Sequence, residues 1–280
     1  MVSLRAAATA ALLLALAASG PPVLGAATPR IVSLIPSLTE DLFAIGAGSQ
    51  VVGVSAFTDY PPVASALPAV ATATSLDLER IVRLHPDVVV GISAQRSFAR
   101  DLRRAGLSPV LLSDDSFDDI FADLLALGRM SGHPSQSQRL VERLQRRTRE
   151  LVRRLPREPA PRTFVVLGVA PIYTVGDASY IARLIALAGG RNAAADLPLA
   201  YGRYSAEALV ALAPDAIVAD RQSGLQGVLD RAPWTALRAV REKRVYFLDD
   251  ADILERPGPR YNEGLAWLIA RLHPRAPADR

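Results

Sequence analysis

Cysteine is absent from the 280 residues. Its absence excludes a disulfide framework, thiolate-held zinc and iron–sulfur clusters, and a lipid carried on a cysteine at a signal cleavage point. Histidine is scarce. The three present, His85, His133 and His273, show no paired spacing for a zinc site and read as surface turn residues. Neither a Gly-x-Ser-x-Gly elbow nor a Gly-rich phosphate loop followed by Lys-Ser/Thr occurs, and Gly46-Ala47-Gly48 reads as a helix stop. Without converging acid, base or nucleophile, the expectation is a protein that is not an enzyme. No metal ligands and no resident cofactor are expected.

Lysine is nearly missing as well: Lys243 is the only one, so the basic side chains are almost all arginine. The net charge of +4 is modest. Nucleic-acid binding wants a basic stripe interleaved with stacking aromatics. The one basic stretch, 139–154, carries no aromatic, so nucleic acid is not an expected partner. Long hydrophobic runs are missing beyond the N-terminus. There, Arg5 precedes an apolar run at 6–18, then Ser19-Gly20-Pro21-Pro22 and a small-residue site at Gly25-Ala26-Ala27. That order matches a secretory signal, and ~13 apolar residues fall short of the ~20 that a membrane span needs. Residues 1–27 are therefore expected to be a cleaved signal peptide. The mature protein is expected free in a periplasm with no lipid anchor.

What is present is a duplication. Leu78-Glu79-Arg80-Ile81-Val82-Arg83-Leu84-His85-Pro86-Asp87-Val88-Val89-Val90 recurs, at a constant offset of 128, as Ala206-Glu207-Ala208-Leu209-Val210-Ala211-Leu212-Ala213-Pro214-Asp215-Ala216-Ile217-Val218. Each copy reads as a short helix opened by a glutamate, stopped by Pro-Asp and followed by a buried strand. A repeated unit implies two similar lobes, and two lobes imply a cleft where a ligand sits.

Between 28 and 133, strands alternate with helices, which predicts a mostly parallel sheet covered by helices. Strands are expected at 31–34, 51–54, 88–91 and 109–112, and helices at 77–84, 98–105 and 118–130. Ser37 followed by Glu40 reads as a capping box opening the first helix, which ends at Gly46 or Gly48. The stretch 134–155 reads as one long helix with Leu140, Val141, Leu144, Thr148, Leu151, Val152 and Leu155 on one face and its arginines outside it. It is taken as a rigid connector at 134–156, leading to a second α/β lobe at 157–280. That lobe is expected to hold strands at 163–167, 216–219 and 244–248 and helices at 181–188 and 263–272. The fold class is thus α/β, two lobes joined by one long backbone helix.

Four motifs stand out: Arg30-Ile31-Val32-Ser33-Leu34-Ile35-Pro36-Ser37-Leu38-Thr39-Glu40, Val52-Gly53-Val54 with Asp59-Tyr60-Pro61-Pro62, the Leu78-Glu79-Arg80-Ile81-Val82 unit, and Glu255-Arg256-Pro257-Gly258-Pro259-Arg260. Together they resemble the class III periplasmic substrate-binding proteins of ABC importers, the family that carries vitamin B12, iron–siderophores or haem. The second and later motifs look like the cobalamin-binding branch. The resemblance covers essentially the whole mature chain. It implies a monomer that binds a corrinoid in the interlobe cleft and delivers it to an ABC permease dimer with its ATPase subunits, touching the membrane only through that transporter. It also implies that Glu79 and Glu207, one per lobe, dock on permease arginines. Phe57, Tyr173 and Tyr201 stand at aromatic cleft positions of the B12-binding relatives, and Asp252 at an acidic contact. Tyr60 and Arg256 complete the candidate ligand contacts. The stretch Ala71-Thr72-Ala73-Thr74-Ser75 lacks the tryptophan that such relatives can carry. An iron–siderophore or haem therefore stands as the alternative ligand, with an α/β enzyme using the same cleft as a further alternative.

Overall fold

The computed structural model describes residues 28–113 and 116–274. The expected signal peptide at 1–27 lies outside the described residues. In the first lobe, β1 (Ile31–Ser33), β2 (Val51–Ser55), β3 (Ala69–Ala71), β4 (Val88–Ile92) and β5 (Pro109–Leu112) form a parallel sheet in the order β3-β2-β1-β4-β5. Its helices are α1 (Pro36–Ala44), α2 (Leu78–Arg83), α3 (Arg96–Arg104) and α4 (Asp119–Met130). Leu38 and Leu42 of α1 pack with Leu124 and Leu127 of α4 in the cluster containing Ile31 and Val90. Ile81 and Leu102, from α2 and α3, join a second cluster with Val32, Leu34 and Val89. Neighbouring strand residues thus feed opposite clusters, which is why these strands read as continuous apolar runs rather than alternating ones.

Helix α5 (Pro134–Arg153) follows, 20 residues and so ~30 Å long. Its buried residues include Leu140, Val141, Leu144 and Leu151, while Arg139, Arg143, Arg146 and Arg149 are exposed, as the one-faced pattern predicted. Thr148, on that apolar face, hydrogen-bonds with the Tyr261 hydroxyl at 2.6 Å and donates to Asn262 Oδ1 at 3.0 Å.

The second lobe runs β6 (Arg162–Val166), β7 (Gly168–Val169), β8 (Ile172–Val175), α6 (Tyr180–Leu187), β9 (Arg191–Asn192), β10 (Tyr201–Arg203), α7 (Ala206–Leu212), β11 (Ala216–Asp220), α8 (Arg238–Arg241), β12 (Val245–Leu248), α9 (Asp252–Glu255) and α10 (Tyr261–Leu272). The parallel sheet has the order β12-β11-β6-β9. A separate antiparallel sheet, β10-β8-β7, was not foreseen. Helix α5 is sandwiched between α4 of the first lobe and α10 of the second, so it belongs to both cores.

The duplication extends to backbone and side-chain detail. His85 and Ala213, at equivalent positions, both adopt a left-handed conformation, with φ of 46° and 45°. A non-glycine residue there costs roughly 1–2 kcal/mol. In each lobe an arginine opening the first strand ties this turn down. The Arg30 backbone N–H donates to Asp87 Oδ2 at 2.7 Å and its guanidinium to the Leu84 carbonyl at 2.8 Å. The Arg162 N–H donates to Asp215 Oδ2 at 2.9 Å and its guanidinium to the Ala213 carbonyl at 2.7 Å.

Two expectations are corrected. Helix α1 begins at Pro36 with Ile35 at its cap and no side-chain capping bond, so Ser37 and Glu40 form no capping box. Proline at the first position has no N–H to satisfy, and Glu40 is drawn elsewhere. His273 is no surface residue: it is 4% exposed and its Nε2 lies 3.0 Å from the Ala188 carbonyl.

Candidate functional site

Strand order reverses between β1 and β4 in the first sheet and between β6 and β11 in the second. In open parallel sheets such reversals open crevices at the carboxyl ends of the strands. The expected contact residues follow those ends. Phe57 and Tyr60 come after β2, Tyr173 lies on β8 just after β6, Tyr201 on β10 after β9, and Asp252 opens α9 after β12.

The two lobes meet through charge. Glu40 of α1 is almost wholly buried, and Arg260 grips it with two parallel bonds, Nε to Oε2 at 2.9 Å and Nη2 to Oε1 at 3.1 Å. The remaining Arg260 donor reaches Asp250 at 2.7 Å. Arg256 joins from the same turn. Its Nη1 donates to Glu40 Oε1 at 3.1 Å and to Asp59 Oδ1 at 2.7 Å, and its Nη2 to the Phe57 carbonyl at 3.1 Å. Arg256 Nη2 also lies 2.9 Å from Asp252 Oδ2. Burial works against both arginine charges, but the carboxylates more than offset it and raise both pKa values above the ordinary one. The Arg-Pro-Gly-Pro-Arg segment is therefore an interlobe clamp, with both guanidinia committed to protein carboxylates.

The clamp orients the candidate contacts. Holding the Phe57 carbonyl leaves the Phe57 ring outside, 68% exposed. The Arg260 guanidinium lies over the Tyr60 ring, 4.0 Å from its centroid. Asp252, half-buried beside Arg256, has its carboxyl pushed up by burial while the arginine pulls it down. An aromatic cluster continues the seam. Phe117 of the first lobe stacks on Tyr180 at 6.1 Å and meets Tyr261 edge-on at 5.0 Å.

In the antiparallel sheet, Tyr173 pairs with Arg203 and Tyr201 with Val175, which puts Tyr173, Tyr201 and Arg203 on one face. The buried Thr174 points the other way, donating to the Val165 carbonyl. The Tyr180 hydroxyl is buried, and burial, with Tyr201 adding to it, raises its pKa well above the ordinary value. Gly176 permits this arrangement: any side chain there would strike the Leu197 and Leu199 carbonyls of the loop that leads into Tyr201. Tyr204 turns inward instead. Its hydroxyl donates to Asp196 at 2.9 Å, and burial and that carboxylate push it up to about 12.

Sequence reasoning missed part of this surface. The exposed large hydrophobic residues among those described are Phe57, Tyr60, Val63, Tyr173, Leu199 and Tyr201, plus Val82 and Val210. The first six fall in two groups, one on each lobe, following the strand ends. Val63 and Leu199 carried no aromatic or charge signal to mark them. A hollow of about 300 Å³ lies behind the clamp, lined by Phe43, Tyr60, Pro61 and Pro259. No group of histidine and carboxylate side chains suited to a metal ion occurs among the described residues. No helix among them is long and apolar enough to cross a membrane.

Glu79 and Glu207 lie apart from the clamp, each the second residue of its helix and each exposed. Asp77 and Ser205 cap these helices, accepting from the Arg80 and Ala208 N–H groups at 2.9 and 3.0 Å. A helix that feeds a parallel strand runs antiparallel to it. Both glutamates therefore stand at the carboxyl edge of their sheets, the edge that carries the aromatic groups.

Two α/β lobes braced by a shared helix, with apolar rings presented on both sides of the seam, define a bilobal solute-binding protein. Residues 31–251 match the family model described as periplasmic binding protein, and the chain belongs to that family. It is 31% identical over 234 residues to the vitamin B12-binding protein of Vibrio cholerae, covering 82% of this chain and 84% of that one. It is 29% identical over 254 residues to an uncharacterized ABC transporter substrate-binding lipoprotein of Bacillus subtilis, covering 88% and 80%. Among solved structures, the periplasmic vitamin B12 binding protein of Vibrio cholerae superposes with a TM-score of 0.78 at 30% identity, over 87% of this chain and 96% of that one. A periplasmic heme binding protein from Pseudomonas aeruginosa gives 0.81 at 28% identity, over 90% and 95%.

Proposed function

We propose that this protein is the extracytoplasmic solute-binding component of an ABC importer, that it carries a corrinoid in the crevice between its lobes, and that it performs no chemistry of its own. The observation that carries the reading is the split of exposed aromatic rings into two groups, Phe57 and Tyr60 on one lobe and Tyr173 and Tyr201 on the other. A corrinoid is a broad apolar disc edged by amides. Rings on two sides and a few polar anchors suit it. Phe57, Tyr173 and Tyr201 supply apolar faces, and Asp252 accepts from the amide edge. Tyr60 and Arg256 contribute mainly by holding the Phe57 loop in place. The lobes divide at 28–133 and 157–280, with 134–156 between them. The mature chain acts as a monomer in the periplasm after loss of residues 1–27. The absence of cysteine argues against the lipid anchor borne by the Bacillus subtilis relative. Glu79 and Glu207 dock on the two halves of the permease dimer, setting orientation and on-rate more than affinity.

A second reading, haem or a ferric siderophore, is favoured by Arg203, which stands opposite Tyr173 and suits an anionic chelate. Calorimetry of the mature protein against cyanocobalamin, haemin and a ferric catecholate separates the two. One-site heat with cyanocobalamin is expected. Heat with haemin or the catecholate alone moves the assignment to the second reading, and silence with all three ends the carrier reading.

A further inference from the structure

Two exposed hydrophobic residues are left over from the crevice, and they occupy equivalent places in the duplicated unit. Val82 and Val210 are separated by the same 128 residues as Glu79 and Glu207, and each is 40% exposed. Each lies three residues after its glutamate on a short helix, hence on the same face. Ile81 and Leu209, the preceding residues, are fully buried and anchor each helix to its lobe. A solvated helix face has no use for valine, a poor helix former, at the same place twice. The surroundings differ: Arg83 pairs with Glu79 at 3.8 Å in one copy, whereas Ala211 takes the equivalent position in the other. What the two patches share is an acid and a valine.

We infer that Val82 and Val210 are paired apolar anchors for the permease, each seating in a pocket beside the basic group that receives the neighbouring glutamate. The inference rests on the docking reading of Glu79 and Glu207. The occupant is a protein with two equivalent halves, because two equivalent patches at the carboxyl edges of two similar lobes match a two-fold partner. A second copy of this chain is disfavoured, since joining such patches would bring carboxylates together. The division of labour follows from the chemistry. The glutamates give the salt-sensitive part of docking, and the valines give the part that persists at high salt.

The test measures the association rate and the affinity of the full mature chain for its permease–ATPase complex in nanodiscs at 50 and 500 mM NaCl. Val82→Thr with Val210→Thr keeps side-chain size and removes apolar surface at exposed positions, so the melting temperature stays put. Docking should weaken roughly tenfold at both salt concentrations. Glu79→Gln with Glu207→Gln should weaken it at 50 mM and much less at 500 mM. Unchanged docking by the valine variant, with the glutamine variant weakened, overturns the anchors and leaves the docking reading standing. A glutamine variant that docks normally at both concentrations removes the docking reading itself. Sedimentation showing a dimer of this chain that the threonine variant abolishes would assign the valines to self-association and overturn the inference.

Discussion

Arg260 and Glu40, 220 residues apart, are joined by two parallel hydrogen bonds of 2.9 and 3.1 Å across the junction of the lobes. Both side chains are almost out of reach of water, at 10% and 2% exposed. Breaking one partner of a buried pair strands the other charge, which typically costs about 3–5 kcal/mol. Glu40→Ala leaves Arg260 and Arg256 without their shared carboxylate and should lower stability in urea by about that amount. A cycle with Arg260→Ala should show strong coupling between the two sites. Additive effects would mean that the clamp holds nothing together.

Asp41, the neighbour of Glu40, has the opposite character. It is 1% exposed, its Oδ1 has no hydrogen-bond partner, and burial, reinforced by Asp123 and Glu40, raises its pKa well above the ordinary value. The folded state then binds a proton that the unfolded chain releases. The resulting loss of stability is absent below the unfolded pKa near 4 and grows as pH rises toward the folded value. Asp41→Asn should raise the melting temperature by roughly 2–4 °C at pH 8 and by less at pH 4. An equal loss of stability at both pH values would show that the carboxylate is ionised and needed.

The long elements and the helix that braces the two lobes were legible in sequence because their signals are local. Strands at 88–92 and 109–112 are apolar runs between turn residues, and α5 is an unbroken one-faced pattern. The duplication placed Glu79 and Glu207 on matching helices. Glu40 misled because its spacing from Ser37 fits a local cap, whereas its true partners are 216 and 220 residues away. The sheet bearing Tyr173 and Tyr201 escaped because β7, β8 and β10 are two to four residues long, too short for alternation to register.

Arg30 and Arg162 give a test of the duplication. Each ties down a left-handed turn in its own lobe, its backbone N–H donating to the turn's aspartate and its guanidinium to a carbonyl of the turn, that of Leu84 in one copy and of Ala213 in the other. Arg30→Ala and Arg162→Ala should each cost about 1 kcal/mol, and the double variant should cost the sum. A large loss from one and none from the other would show that the shared geometry hides unequal roles.

Tyr173→Ala and Tyr201→Ala address the crevice. Each removes a ring that is 39% exposed, so melting should barely move. Loss of one stacking face should weaken cyanocobalamin roughly tenfold. Unaltered affinity in both variants would place the ligand elsewhere.

Hydrogen exchange with and without cyanocobalamin tests the interlobe site most directly. Protection is expected together in residues 56–60 of one lobe and in 172–175 and 199–203 of the other. Protection confined to a single lobe, or lying in the hollow lined by Arg162, Arg183 and Arg191, would contradict a site shared by both.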